Sequence, residues 1–395
     1  HTGNFLPAYI NGGAYGTRLD SANVTLLRDL ARRGFVGISA SYRQGWLPLA
    51  TDLTTRTETL LKAAYRGGQD AHSLARFLRK TVVEDENPYQ IDTSRIVFWG
   101  FGTGGYVTMT HAFLDRSEEI LTNDQFYDTE GNPLINEPVD SDPQGIAPTP
   151  LNNPNHVGYS SNVAMSVNTG GALGDPVWIE GQDHEPMILG QHSFTDPFAP
   201  YYTGTVIVPT TGETVVSGVA GSNLILELAD DFGLNDALAD ANALDLPDIY
   251  PPLSEVLNQI NAQLSQLMVT SPVNLTGDTF NLSRPNLLPA VYDRLIAGPY
   301  NWFDSTTLAL ILTQFPLELR PNIDDIIDGE DFSNPNWRTP EDAKKNLDTM
   351  LAHFIPRAYI GLQLDQVVSS TEDLVDAAAI GLEIAPNPAG EFFTV

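Results

Sequence analysis

The chain has 395 residues, room for one large decorated domain or two of ordinary size, and its 42% hydrophobic content can fill a full core. It contains no cysteine, which excludes disulfides and thiolate metal sites, and no run of about 18 apolar residues, so no transmembrane helix is expected. The formal charge of −30 is concentrated after residue 120, and 121–283 holds no Lys or Arg; such a surface repels phosphates, so neither nucleic acid nor an anionic membrane is an expected partner.

The chain opens on His1-Thr2-Gly3-Asn4-Phe5-Leu6-Pro7, with no initiator Met and no strand before it. A helix is expected over 23–33, stopped by Gly34, and a buried strand over 35–39 that ends at Tyr42-Arg43. Ala71, Leu74, Ala75 and Leu78 recur at i, i+3, i+4 and i+7, so a helix over 70–80 lays one face on a sheet. The stretch 94–110, SRIVFWGFGTGGYVTMT, then joins a β-type run (95–99), a glycine-rich hinge (100–105) and a helical run (106–114). Strands alternating with helices through short links predict a mostly parallel sheet with helices on its faces.

Residues 121–160 are polar and rich in Pro, Asn and Asp, a long surface loop. Its acids Asp124, Asp128, Glu130, Asp140 and Asp142 admit calcium sites beside the plainer reading of a hydrated acidic exterior, without EF-hand spacing. Strands are expected over 163–167, 186–190, 206–209 and 214–219, the last ending at Ala220-Gly221-Ser222. From 223 to 338 the strand pattern stops. Leu253, Val256, Leu257, Ile260, Leu264, Leu267 and Met268 mark an amphipathic helix, shorter helical runs fall at 287–296 and 306–314, and Tyr292, Tyr300, Trp302 and Phe303 punctuate them. Thr339-Pro340-Glu341-Asp342 is a helix start, followed by the core stripe Leu347, Met350, Leu351 and Phe354. The chain ends near Ile384-Ala385-Pro386-Asn387-Pro388-Ala389-Gly390.

Four blocks in order, HTGNF, RGFVGISASYR, QDAHSLARFLRK and IDTSRIVFWGFGTGG, resemble those of carboxylesterase-type α/β-hydrolases; the likeness covers 1–115 and, more loosely, 160–220. It implies the α/β-hydrolase fold: a mostly parallel sheet flanked by helices, with a helical cap insertion and the first strands lying upstream of residue 1. The division it suggests is a core over 1–222, a cap over 223–338 that covers a pocket or serves only as a second packing layer, a closing helix over 339–370, and a linker with the start of a further domain over 371–395. The last stretch resembles the opening of a type IX secretion sorting domain, beside the plainer reading of a proline-rich turn. That resemblance implies a Bacteroidetes-type source, contact with export machinery through the C-terminal signal, and a secreted or cell-surface location.

Ester hydrolysis on this fold needs a nucleophile at the strand-to-helix elbow, a later acid, then a histidine, facing an oxyanion hole. The elbow motif G-x-S-x-G reads Gly100-Phe101-Gly102-Thr103-Gly104, so Gly102 stands at the serine position. By resemblance, backbone N–H groups of Gly3 or Asn4 and of Thr103 form the oxyanion hole, with His1 in the same loop. Asp196, in HSFTDPFAPY, matches the acid block, with Asp175 as second choice. No histidine lies between His192 and His353. His353 falls inside the closing helix, and His192 is expected to pack beneath the site. The remaining histidines, His72, His111, His156 and His184, lack metal-ligand spacing, so neither metal nor cofactor is expected.

Two functions follow from these residues. One is an exported protein of carboxylesterase or lipase ancestry without triad catalysis, binding a small ester or related apolar ligand in a pocket lined by Phe101, Gly102 and Thr103. The other is a working carboxylic-ester hydrolase that uses Thr103, with His353 or an unrecognised arrangement. A third, a structural surface module, predicts no pocket above Gly102.

Overall fold

The computed structural model describes residues 21–364 except 49, 197, 209–211, 247–248, 271–282, 291–312 and 314–339. Helix α1 (Ser21–Ala31) ends at Gly34, whose φ of +88° only glycine adopts without strain. Helix α2 (Leu53–Glu84) starts at Asp52, whose carboxylate accepts the Thr55 N–H at 2.7 Å. It is longer than the 70–80 stretch that its apolar spacing marks. It runs through Gly67 and Gly68 because another helix crosses there: a Cβ at Gly67 would stand 2.5 Å from Val107 Cγ2.

Strand β1 (Val97–Phe101) leads through Gly102 into α3 (Thr103–Phe113), the crossing helix. Strands β2 (Met165–Thr169) and β4 (Met187–Ser193) follow, with the short β3 (Ala172–Leu173) between them. Strands β5 (Thr203–Ile207) and β6 (Thr214–Gly221) form an antiparallel sheet with β3, in the order β3-β6-β5. Helices α4 (Ser222–Asp231) and α5 (Leu253–Thr270), strand β7 (Leu287–Ala290) and helix α6 (Pro340–Gly361) complete the described chain. The central sheet has the order β1-β2-β4-β7, and every pair in it is parallel.

Helices cover both faces of this sheet, as parallel strands require. Neighbouring residues alternate between two cores: Ile188 and Leu287 pack with Met109, Phe113, Trp178 and Leu226, whereas Leu189 and Leu288 pack with Leu26, Leu347, Leu351 and Phe354. Val256, Ile260 and Leu264 of α5 are buried in the second core beside α6. The result is an α/β fold with a mostly parallel sheet between helices.

Two expected elements differ. The strand over 35–39 does not form; the segment has no regular secondary structure and pairs with no described strand, and Val36 and Ile38 are 50% and 43% exposed. Its apolar, β-branched composition suits a strand, but a strand exists only beside a partner. The helical run expected over 287–296 is, over 287–290, strand β7. Four apolar residues cannot be assigned by periodicity alone. Pro289, which has no N–H to donate, sits on what is the edge strand among the described residues. The helical run expected over 306–314 and the C-terminal stretch beyond 364 lie outside the described residues, apart from Thr313.

Candidate functional site

The junction of β1 and α3 is a sharp hinge, and glycines make it possible. Gly102 has φ 52° and ψ −114°, a conformation that costs any side-chain-bearing residue on the order of 1–3 kcal/mol. Its N–H bonds Thr169 O at 2.8 Å, and its carbonyl accepts the Gly105 N–H at 2.9 Å, closing the first turn of α3. The helix then lies on the strand it has left: a Cβ at Gly100 would come 2.0 Å from Gly104 O. Gly105 and Gly171 meet backbone to backbone, a Cβ on Gly171 standing 2.5 Å from Gly105 C. The glycine-rich stretch is therefore a sharp strand-to-helix hinge, with no side chain at Gly102.

Thr103, the next residue, is exposed, and its hydroxyl is 2.8 Å from Tyr42 OH. Burial pushes the Tyr42 phenol up to about 12, so it stays protonated at neutral pH and cannot serve as the base a threonine nucleophile needs. Phe101 is 1% exposed and stacks on Trp99 with ring centroids 5.7 Å apart, which makes it a core residue and not a pocket wall. His1, Gly3 and Asn4 lie outside the described residues.

Asp196 follows β4, and its side chain is 2% exposed. One oxygen, Oδ1, accepts the N–H groups of Phe198 and Ala199 at 2.7 and 3.2 Å, the bonding of a turn carboxylate. The other, Oδ2, is 3.6 Å from His192 Nε2. His192 in turn sits between Ala199 O, 3.2 Å from Nε2, and Ser222 Oγ, 2.8 Å from Nδ1. Because a carbonyl can only accept, the Nε2 carries the proton and Ser222 donates to Nδ1. Ser222 Oγ accepts from Asn168 Nδ2 at 3.1 Å.

A serine, an imidazole and a carboxylate thus stand in line beside the first turn of α3, where the Asn168 amide that reaches Ser222 lies against Gly105 and Tyr106 OH bonds Phe198 O. Sequence reasoning singled out His192 and Asp196 but not their partners, since Asn168 and Ser222 lie on β2 and the first turn of α4. The one local signal is the strand-Gly221-Ser222-helix passage. The group is sealed: Ser222 and His192 are 1% and 2% exposed. Burial lowers the imidazole to about 4 and raises the Asp196 carboxyl to about 7, so both are neutral in mildly acidic solution. A weak base behind a buried hydroxyl ties three elements together; an ester cannot reach it.

His353 is fully buried in α6, and neither ring nitrogen has a hydrogen-bond partner among the described residues. Burial holds it neutral, far below the usual imidazole range. No hydrogen bond joins it to Thr103. Asp175, the second candidate acid, caps a turn through Val177 N and receives Asn123 Nδ2 at 2.7 Å. Among the described residues no three His, Asp or Glu side chains are gathered as metal ligands; Asp128 and Asp142 instead accept backbone N–H groups of their own loops.

Comparison of the chain with protein-family models, with curated proteins and with solved structures returns no match.

The buried carboxyl has a measurable consequence. Asp196 titrates near 7 when folded and near 4 when unfolded, so the folded state holds the extra proton between those values. Its contribution is fully present below about pH 4 and is lost as pH rises towards 7, at about 1.4 kcal/mol per pH unit. Asp196→Asn keeps an oxygen for the Phe198 and Ala199 N–H groups without titrating. Urea melts at pH 4.5, 5.5 and 6.5 are expected to show the stability of wild type falling relative to this variant at each step; a constant difference would contradict the burial. His111 and His192, both lowered to about 4, act oppositely: unfolded imidazoles gain protons below about 6.5, so their contribution is lost as pH falls.

Proposed function

We propose that this is an exported α/β-hydrolase-fold protein of carboxylesterase or lipase ancestry that has lost triad catalysis and binds an apolar ligand without turning it over. The observation that carries the reading is the hinge itself: Gly102, which has no side chain, sits at the strand-to-helix turn, and the neighbouring Thr103 hydroxyl is paired with a phenol. The two imidazoles recorded on a serine, His192 on Ser222 and His72 on Ser161, are both buried away from solvent. In triad enzymes loss of nucleophile or base costs on the order of a millionfold in turnover. The export reading rests on the resemblance at 384–390. It predicts that removing 384–395 keeps the protein inside cells that secrete the longer chain; secretion of both would refute it.

Turnover is tested with p-nitrophenyl butyrate. The intact chain and Thr103→Ala are both expected to match the buffer rate. Gly102→Ser should also stay there, because the hydroxyl beside it, that of Thr103, is paired with the Tyr42 phenol and not with an imidazole. Hydrolysis by the intact chain that vanishes in Thr103→Ala would overturn the proposal.

A further inference from the structure

Helices α2 and α3 and the antiparallel sheet enclose a cavity of about 40 Å³. Its walls include Leu60, Leu61 and Tyr65 of α2, Tyr106 of α3, and the rings of Phe126 and Trp178. Four donors on these walls are engaged within the protein. Tyr65 OH donates to Ser141 O at 2.6 Å, Tyr106 OH to Phe198 O at 3.1 Å, and Trp178 Nε1–H to Glu119 O at 3.1 Å. Thr57 Oγ1–H donates to Val215 O.

A water occupies about 10–15 Å³ of such space and needs two to four polar partners. This cavity exceeds that volume and is lined mainly by hydrocarbon, so water gains little there and an apolar group gains much. The hollow exists because its floor is small. Ala64, Ala172 and Gly174 line it, and a Cβ on Gly174 would stand 2.9 Å from the Trp178 ring. Near the start of α2, Leu47 and Leu53 are 54% and 49% exposed. The loop that bears Leu47 is fixed to α2 by Leu47 N–H on Thr59 Oγ1 at 3.0 Å and Arg56 Nη1 on Ala50 O at 2.7 Å. Tyr106 belongs to the first turn of α3, so an occupant would touch the helix that begins at the hinge.

We propose that this cavity binds the end of an uncharged aliphatic chain whose polar head stays outside, a site that rests on reading the protein as a binder. The chain could belong to a free fatty acid or to a neutral lipid, alcohol or ester; the buried part is the same. The test uses the whole protein with 1-hexanol, which has no ester bond, and with 1,6-hexanediol and hexanoate. Saturation-transfer NMR should place the terminal methyl of 1-hexanol in closest contact. Titration should show 1,6-hexanediol at least tenfold weaker, since its second hydroxyl would be buried without a partner. Ala64→Leu, which fills the floor, should weaken 1-hexanol at least tenfold, and Leu61→Ala, which widens the wall, should favour 1-octanol over 1-hexanol.

Hexanoate binding beside 1-hexanol would point to a fatty acid, and 1-hexanol alone to a neutral lipid; either sustains the proposal. Equal binding of hexanol and hexanediol, or wild-type behaviour in both variants, overturns it. Ester turnover is read separately, so loss of the cavity site would leave the silent hinge standing, and turnover at the hinge would leave the cavity standing.

Discussion

Gly100→Ala is expected to destabilise the protein by about 3 kcal/mol or more, the upper range for overpacking a well-filled site. A methyl there would meet Gly104 O at 2.0 Å, Gly104 C at 2.2 Å and Gly105 N at 2.6 Å. All three are backbone atoms of the first turn of α3, so no side chain can rotate away. Relief requires the helix to lift from the strand, and with it the Gly105–Gly171 contact and the Gly102 hydrogen bond to Thr169. Gly131→Ala separates this crowding from glycine's freedom of φ. Gly131 has φ +83° but nothing within 4 Å of an added Cβ, so that variant carries only the cost of a left-handed residue, about 1 kcal/mol. Urea melts followed by circular dichroism should rank wild type, Gly131→Ala and Gly100→Ala in that order. Equal losses in the two variants would mean that α3 does not lie against β1 as described.

The hinge was legible because its information is local. Gly100, Gly102 and Gly105 fall within six residues, and each reflects a backbone that passes too close for a side chain or turns where only glycine is unstrained. The amphipathic helices were legible for the same reason: the stripe Leu347, Met350, Leu351 and Phe354 points one way on one helix, and all four are buried. Pairing is not local. The run 35–39 has the residues of a strand without a described neighbour, while 287–290, too short to show a period, finds β4 across more than ninety intervening positions. Asn168 and Ser222, which join His192, were invisible for a similar reason. Each is an ordinary polar residue until β2, β4 and α4 bring them together. His353, the histidine that follows Asp196 in the chain, is buried in α6 with no hydrogen bond to that carboxyl.

Arg357 shows how much of the fold can rest on a residue that periodicity passes over. It is fully buried in α6, beyond the apolar stripe, and no carboxylate is paired with it among the described residues. Its guanidinium instead collects acceptors: Nε donates to Asn286 Oδ1 at 3.1 Å, Nη1 to His353 O at 2.8 Å, and Nη2 to Asn242 Oδ1 and Pro285 O. Asn286 immediately precedes β7, and its carbonyl receives the Gly190 N–H of β4 at 3.0 Å. One side chain therefore fastens α6 to the start of the edge strand. Removing it leaves several buried oxygens without donors, each costing about 1–3 kcal/mol less whatever water restores. Arg357→Met, which preserves much of the stem's volume, is accordingly expected to lose about 3–5 kcal/mol, and Arg357→Lys nearly as much, because one ammonium cannot span acceptors arranged around a planar fork. Hydrogen exchange distinguishes this from general loosening. The amide of Gly190, bonded to Asn286 O, and those of β7 should exchange faster in Arg357→Met than the β1–β2 amides around Gly102. A variant within 1 kcal/mol of wild type, or one whose β1 and β7 amides accelerate alike, would show that the strand is held by its leucines alone.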